Sequence, residues 1–439
     1  MKKIFLLGLM TLSIFALSAC GGSDVPEGKI GIEFWHMSPV GSESYSGTKA
    51  IINDFNASQD TYYVKGVGFS FWDYWDKVNV AIASDNAPEV GLHTLDNVIL
   101  RGSNGALFNI SDFIQDDIDA GLGEFDLSVF NQSQLDYAEY DGDLFALPFT
   151  ATTRVLYYNL DMFAEVGLTE ADVPTTWSEL ETVAAQLNKT DGSQISQIGF
   201  DPTYGQGTYH GFLWQKGLDF FDENGDPTLN TQEHIDVLDW MINFNSSFSR
   251  AQLNSFGEAN QILGIDPFAA GRVAMMIGTD SLYDTMKQNG ADINYGVTQI
   301  PLPDENGIRT NWGSGFSIEL YDNNDNNPEK AKGSWEFLKF LMSKDIQKRF
   351  CEANGWIMAN NDAMEELVLG DPIRTAIFNE VQYAVDKVYI PYAPNWHAAD
   401  WKTYYDEALA GTMTAEQTLA AARALYIQKQ ENYNDINNG

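Results

Sequence analysis

The chain has 439 residues, 44% of them hydrophobic and 13% aromatic, with 62 acidic against 25 basic residues and a formal net charge of −37. That is enough apolar material for a large buried core in two or three domains. A surface this acidic repels phosphate backbones and anionic headgroups, which excludes sequence-independent nucleic-acid binding and docking on anionic lipid by charge alone.

Lys2 and Lys3 followed by the apolar run Ile4 to Phe15 read as a secretory leader, too short to span a bilayer. Leu17-Ser18-Ala19-Cys20 resembles the bacterial lipoprotein box. The resemblance implies a leader over 1–19, lipid on Cys20, and a flexible tether over 20–28 through Gly21-Gly22-Ser23. The only other cysteine, Cys351, lies in the helical pattern "SKDIQKRFCEANG" and reads as a buried, inert thiol. Two cysteines in so long a chain are no disulfide framework.

"KIGIEFWHM" reads as a first strand, "SGTKAIINDFNAS" as a helix, and "YYVKGVGF" as a second strand. A helix in "YWDKVNVAIAS" and a third strand in "APEVGLHTL" complete a run of βαβ units, which predicts a parallel sheet. Ligands in such sheets gather beyond the carboxyl ends of the strands, which draws attention to Trp35, His36, His93 and Asp96. A second block opens at "FALPFTATTRVLYYNLDMF". Thr176 with Glu179, and Thr414 with Gln417, form capping boxes that start two helices. "EHIDVLDWMINFNSSF" and "DPFAAGRVAMMIG" read as mostly helical, "INYGVTQIPLP" and "WGSGFSIEL" as extended. "EKAKGSWEFLKFLMSKDIQKRF" reads as one long amphipathic helix.

No nucleophile elbow, P-loop or dinucleotide-binding glycine pattern occurs, and the five histidines show no zinc-ligand spacing. "DENGD" lacks the remaining ligands of a calcium loop and reads as a solvated turn. No cofactor, no metal and no enzymatic activity are therefore expected. Of the 11 tryptophans, Trp177, Trp240 and Trp335 sit in helical patterns and read as packing. Trp35, Trp72, Trp75, Trp214, Trp312, Trp356, Trp396 and Trp401 read as loop residues flanked by Asp, Asn and His, a composition suited to sugars: rings stack on C–H faces while polar rims meet hydroxyls.

"VLYYNLDMFAEVGLTEADVPTTWSELETVAAQL" resembles a signature of the extracellular solute-binding proteins of ABC importers, in the branch that binds sugars. "GTKAIINDFNAS", "IASDNAPEVGLHTL", "FAAGRVAMMIG", "INYGVTQIPLP", "KGSWEFLKFLMSKDIQKRF" and "TAEQTLAAA" follow in the family's order, from about Lys29 to the C-terminus. The resemblance implies a two-lobed α/β fold of the periplasmic-binding-protein-like type II kind, its lobes joined by hinges and closing on ligand. Crossings are expected near Thr150 to Arg154, Trp312 to Gly315 and Asn354 to Met358, with lobe 1 over 29–150 plus 316–355 and lobe 2 over 151–311 plus 356–439.

Carried over by position, the implied ligand-binding residues are His36, Glu43, Trp75, His93, Asp96, Thr152, Tyr209, His210, Trp214, Trp312, Trp356 and Trp396, with Asp280 where many relatives carry a tryptophan nearby. Met358 stands where the family's turn has proline. The implied partners are a small-molecule sugar, the subunits of an ABC permease and the lipid at Cys20; the protein is expected to be a monomer on the outer face of the cell membrane or in the periplasm, with no nucleic-acid partner. A glycerol-phosphate receptor of the same importer class is the near alternative, set behind a neutral sugar because the late loop "IPYAPNWHAADWKTYYDEAL" offers Trp396, His397 and Trp401 but no arginine. A secreted glycoside hydrolase is the alternative from another class.

Overall fold

The computed structural model describes residues 25–263, 266–288, 293–313, 315–323 and 327–438. The expected leader and Cys20 lie outside the described residues. No helix among the described residues is long and apolar enough to cross a membrane.

Strands β1 (Ile30–His36), β2 (Tyr62–Gly68) and β3 (Val90–Thr94) begin the first sheet. β1 pairs in parallel with both neighbours, Phe34 opposite Gly66 and Val90. The connecting helices are α1 (Glu43–Ser58), capped by Ser42, and α2 (Phe71–Ala83), capped by Ser70. Each buries one face, Ile51, Ile52 and Phe55 in α1 and Tyr74 and Val78 in α2. The Tyr74 hydroxyl donates to Leu92 O (2.6 Å) and accepts from Leu92 N–H (2.8 Å), which ties α2 to the strand ahead of the site. The sheet is mixed rather than purely parallel: β4 (Leu147–Pro148) and a later strand, Phe316–Leu320, complete the order β2-β1-β3-(316–320)-β4, the late strand antiparallel to both its neighbours.

The second sheet centres on β5 (Arg154–Asn159), flanked antiparallel by β6 (Met275–Thr279) and β7 (Tyr295–Thr298). Every residue of β5 is buried because the sheet is covered on both faces. Val155 and Tyr157 enter one core, Leu156 and Tyr158 the other, as the two-residue period of a strand requires. "VAMMIG" is therefore strand where a helix was expected: its run of apolar residues fits a fully buried strand as well as a helix face, and pairing with β5 decides. Both capping boxes form, Thr176 with Glu179 at the head of Trp177–Leu187 and Thr414 with Gln417 at the head of Ala415–Asn438. Trp177 stacks on Trp240 with centroids 4.0 Å apart, both as packing residues. The long amphipathic helix breaks at Ser343 into Pro328–Met342 and Lys344–Asn354, because Ser343 turns extended. Cys351 is buried and its thiol is pushed up to about 11 by that burial.

The chain passes between the sheets in three segments that lie side by side. Ala151 N–H donates to Ile357 O (2.9 Å) and Ala359 N–H to Phe149 O (3.0 Å). Phe149 N–H donates to Phe316 O (2.7 Å), while Phe316 N–H donates to Thr150 Oγ1 (2.8 Å). A Cβ on Gly315 would sit 2.0 Å from Thr150 O, and Gly315 has φ +83, so only glycine serves there. The short strands β8 (Asn311–Trp312) and Ala384–Val385 pair in parallel beside these segments. β9 is the late strand Phe316–Leu320 and β10 is Ala384–Val385.

A buried ion pair locks the first sheet where it approaches this junction. Arg101 Nε reaches both carboxylate oxygens of Glu319 on β9 (3.1 and 3.0 Å), Arg101 Nη2 donates to Glu319 Oε1 and to Thr94 O (2.8 Å for the latter), and Ser317 Oγ adds a fourth hydrogen bond to Glu319 (2.8 Å). We expect Arg101→Met to cost about 3–5 kcal/mol in urea unfolding, because Glu319 is left buried and unpaired, and Arg101→Met/Glu319→Leu to recover most of that loss.

Candidate functional site

The carboxyl end of β3 and the amino ends of β5 and β9 face the same junction, and the residues there form the candidate site. β3 ends in His93 and Thr94, and Asp96 follows in the next turn. β8 brings Trp312, and β5 opens on Arg154. Asn311 fixes both: its Oδ1 accepts from Thr153 Oγ1 (2.9 Å) and Arg154 N–H (3.0 Å), and its Nδ2 donates to Glu380 O (3.1 Å). β10 leads directly to Asp386 and Lys387.

These groups converge. The Lys387 ammonium lies 3.1 Å from Asp96 Oδ2, donates to His397 Nε2 (3.0 Å) and stands 4.6 Å from the Trp312 ring centre. The Arg154 guanidinium lies over the same ring at 3.9 Å and donates to Trp312 O (2.9 Å). Trp312 Nε1 donates to Asp386 Oδ1 (3.1 Å). The Tyr137 hydroxyl, from the first half of the chain, donates to Asp386 O and accepts from Asp386 N–H, both 2.8 Å. His210 packs its ring edge-on against Trp312 (5.1 Å) and Trp214 (5.0 Å).

Burial works to raise the Asp96 carboxyl, but the Lys387 ammonium and the Thr94 hydroxyl hold it below its ordinary value. Burial and the Asp96 charge raise Asp386. Burial pushes Asp280 up to about 6, against Arg154. His210 is held well below its ordinary value by burial and then by Lys387, and His397 is lowered to about 4 by the same two causes. Three buried polar atoms here have no protein partner: Arg154 Nε, His210 Nε2 and Asp386 Oδ2. Buried donors and acceptors are nearly always satisfied, so these are atoms addressed to water or to a ligand.

Beside this cluster runs an aromatic wall on the first sheet. Trp75 packs against His93 (5.4 Å) and Phe316 (5.7 Å), and Phe316 against Trp356 (5.7 Å). Trp75, Phe316 and Trp356 are half-buried, so part of each ring faces outward. Thr94 N–H donates to His93 Nδ1 (2.8 Å), which leaves His93 Nε2 as donor to Asn79 Oδ1 (3.1 Å).

The structure thus brings together Trp75, His93, Asp96, His210, Trp214, Trp312 and Trp356 of the expected residues. Thr152, half-buried, lies on the first crossing segment with its carbonyl against Gly313, and Asp280 accepts from Thr153 N–H (3.4 Å) on the same segment. Tyr209 and Trp396 belong to the second core: Tyr209 stacks on Trp401 (5.0 Å) and donates to His234 O, and Trp396, 1% exposed, packs on Phe220 (4.4 Å). His36 is buried beside Phe34 and Tyr45, and Glu43 is exposed at the head of α1. Trp72 and Trp75 stand in α2, Trp214 in Tyr209–Trp214 and Trp401 in Trp401–Ala410, not in loops. Arg154, Tyr137, Phe316, Asp386 and Lys387 were not singled out from the sequence. No group of three or more His, Cys, Asp or Glu among the described residues could hold a metal. Asp222 accepts from Asn224 and Asp226 N–H, a turn closed on itself. A separate groove of about 520 Å³, floored by Phe113 and Trp335, shares no residue with the cluster.

Comparison with known proteins gives a consistent family. A family model described as bacterial extracellular solute-binding protein matches residues 50–373. The sn-glycerol-3-phosphate-binding periplasmic protein of Rhizobium meliloti is 22% identical over 365 residues, 81% of each chain. Among solved structures, CpMnBP1 with mannotriose bound superposes with a TM-score of 0.74 at 22% identity, covering 91% of this chain and 100% of that one. The cyclic alpha-maltosyl-1,6-maltose binding protein of Arthrobacter globiformis gives a TM-score of 0.74 at 19% identity, covering 92% and 100%.

The depressed imidazoles generate a direct check. We expect the His210 and His93 rings to stay neutral well below pH 6.5, and His397 to take its proton near pH 4, followed by NMR of the imidazole C–H signals. Each such ring contributes stability that is complete above pH 6.5 and is lost as pH falls from there through the folded value, because the unfolded chain accepts the proton first.

Proposed function

This chain belongs to the bacterial extracellular solute-binding proteins, and from that premise we propose that it is the receptor of an ABC importer, capturing a neutral sugar or oligosaccharide at the junction of its two lobes. It shares the two-lobed type II fold of sugar-binding structures. We place the first lobe over 29–150 plus 316–355 and the second over 151–311 plus 356–439, the three adjacent segments around Thr150, Gly315 and Met358 acting as hinges. Lipid on Cys20 holds the body at the membrane, where the closed lobes deliver the solute to a permease.

One observation carries the sugar reading: half-exposed aromatic rings border a buried polar cluster whose cations are already matched. Stacking surface beside convergent donors and acceptors is the recognition chemistry of a polyol ring. A second reading, a glycerol-phosphate receptor, draws on Arg154 and Lys387, the cations that the late loop alone lacked. Asp96, Asp386 and Asp280 face those two cations, so a dianion would enter a site with no surplus positive charge. The neutral ligand is favoured for that reason. A hydrolase would turn the sugar over, whereas this reading requires stoichiometric binding that leaves it intact.

The test is calorimetry on the purified full-length chain against a sugar panel that includes sn-glycerol 3-phosphate. Saturable binding of a sugar supports the reading; binding of glycerol 3-phosphate and of no sugar contradicts it. For the bound sugar we expect Trp356→Ala to weaken affinity by about tenfold or more, about 1.4 kcal/mol, with the melting temperature little changed, and Asp96→Asn to weaken it at least as much while lowering the melting temperature, because Lys387 is left buried without its carboxylate. Near-wild-type affinity in both variants would refute this placement of the site.

A further inference from the structure

The aromatic wall does not stop at Trp75. Phe71, in the first turn of α2, packs against Trp75 (5.8 Å) and Phe316 (6.3 Å) and is 41% exposed. Trp72 meets Phe71 edge to face at 5.1 Å and is 79% exposed. No other tryptophan among the described residues is exposed to that degree. An indole bared to water at the end of a continuous ring series, at the site end of the sheet, is apolar surface that the fold does not use.

Its mounting is rigid. Ser70 Oγ caps α2 by accepting from Asp73 N–H (3.3 Å) and donates to Asp73 Oδ2 (2.7 Å), which fixes the turn that carries Trp72. Asp76, one helical turn on and exposed, shares the Trp72 face and offers a carboxylate to hydroxyls there. The rings Trp75, Phe71 and Trp72 thus lead outward in order from His93 at the end of β3.

We propose that Trp72 is an outer stacking platform for a further sugar ring, so that the protein selects oligosaccharides by chain length. This rests on the sugar reading above and names the ligand class within it. The inner rings meet the first sugar units beside Asp96 and Lys387, and Trp72 lies under a unit that shorter ligands do not possess. Its indole face stacks on the C–H face of that unit while Asp76 accepts from its hydroxyls.

The experiment measures affinities of the purified full-length chain for two ladders: mannose, mannobiose and mannotriose, and glucose, maltose and maltotriose. Wild type is compared with Trp72→Ala and Trp72→Tyr. Affinity in the recognised ladder should rise with length. Trp72→Ala should lower trisaccharide affinity about three- to tenfold and bring the trisaccharide-to-disaccharide ratio toward one, and Trp72→Tyr should retain most of the ratio because a flat ring remains. If sugars bind but the ratio is the same in wild type and Trp72→Ala, the inference is overturned while the sugar reading stands. Equal loss in Trp72→Tyr and Trp72→Ala also overturns it, since stacking would not be the cause. If no member of either ladder binds wild type, this inference is overturned, and the sugar reading falls with it only where no sugar of the wider panel binds either.

Discussion

The Lys387 ammonium beside the Asp96 carboxylate is the contact on which the junction depends. Both side chains are nearly excluded from water, 6% and 9% exposed. A charge so placed is costly unless it is paired and its remaining hydrogen-bonding capacity is met. The protein meets it with Asp96 after β3, the Trp312 ring on β8, Asp386 after β10 and His397 beyond, while Arg154 at the head of β5 stacks on the same Trp312 ring. Once Lys387 and Asp96 are fixed, the positions of the other four follow within a few ångströms.

The crossing segments explain how that fixation coexists with two separate sheets. Three strands of backbone run together through hydrogen bonds at Phe149, Thr150, Ala151 and Ala359, with Gly315 pressed against Thr150 O. Besides the polar cluster and Tyr137, Lys344 and Lys348 pair with Glu366, and Arg374 donates to Cys351 Sγ, just beyond the same segments. The acidity of the whole chain plays no visible part in the site, where positive and negative groups are matched.

Much of the fold was legible in short-range signals. Strand and helix periods gave the first two βαβ units, and the two capping boxes gave helix starts at Trp177 and Ala415. The misreadings came where one pattern fits two structures: "VAMMIG" is apolar enough for a helix or a buried strand, and only pairing with Tyr157 and its neighbours decides. The polar cluster was legible in part. Asp96 and His93 stood out because they end a strand, and Trp312 and Trp356 because of their local patterns. Lys387 and Arg154 carry no such mark; a lone cation in a sequence reads as surface, and only the fold brings Lys387 to a carboxylate almost three hundred residues earlier. Tyr209 and Trp396 show the converse, since a family position does not reveal whether a ring is packed in a core.

Hydrogen–deuterium exchange on the full-length chain, with and without saturating amounts of the tightest-binding sugar, tests the location of the site most directly. The account predicts slowed exchange in His93–Asn97, Asn311–Gly313 and Val385–Val388, the backbone that carries the polar cluster and its rim. Protection confined to the groove of Phe113 and Trp335, with those three segments unchanged, would contradict it.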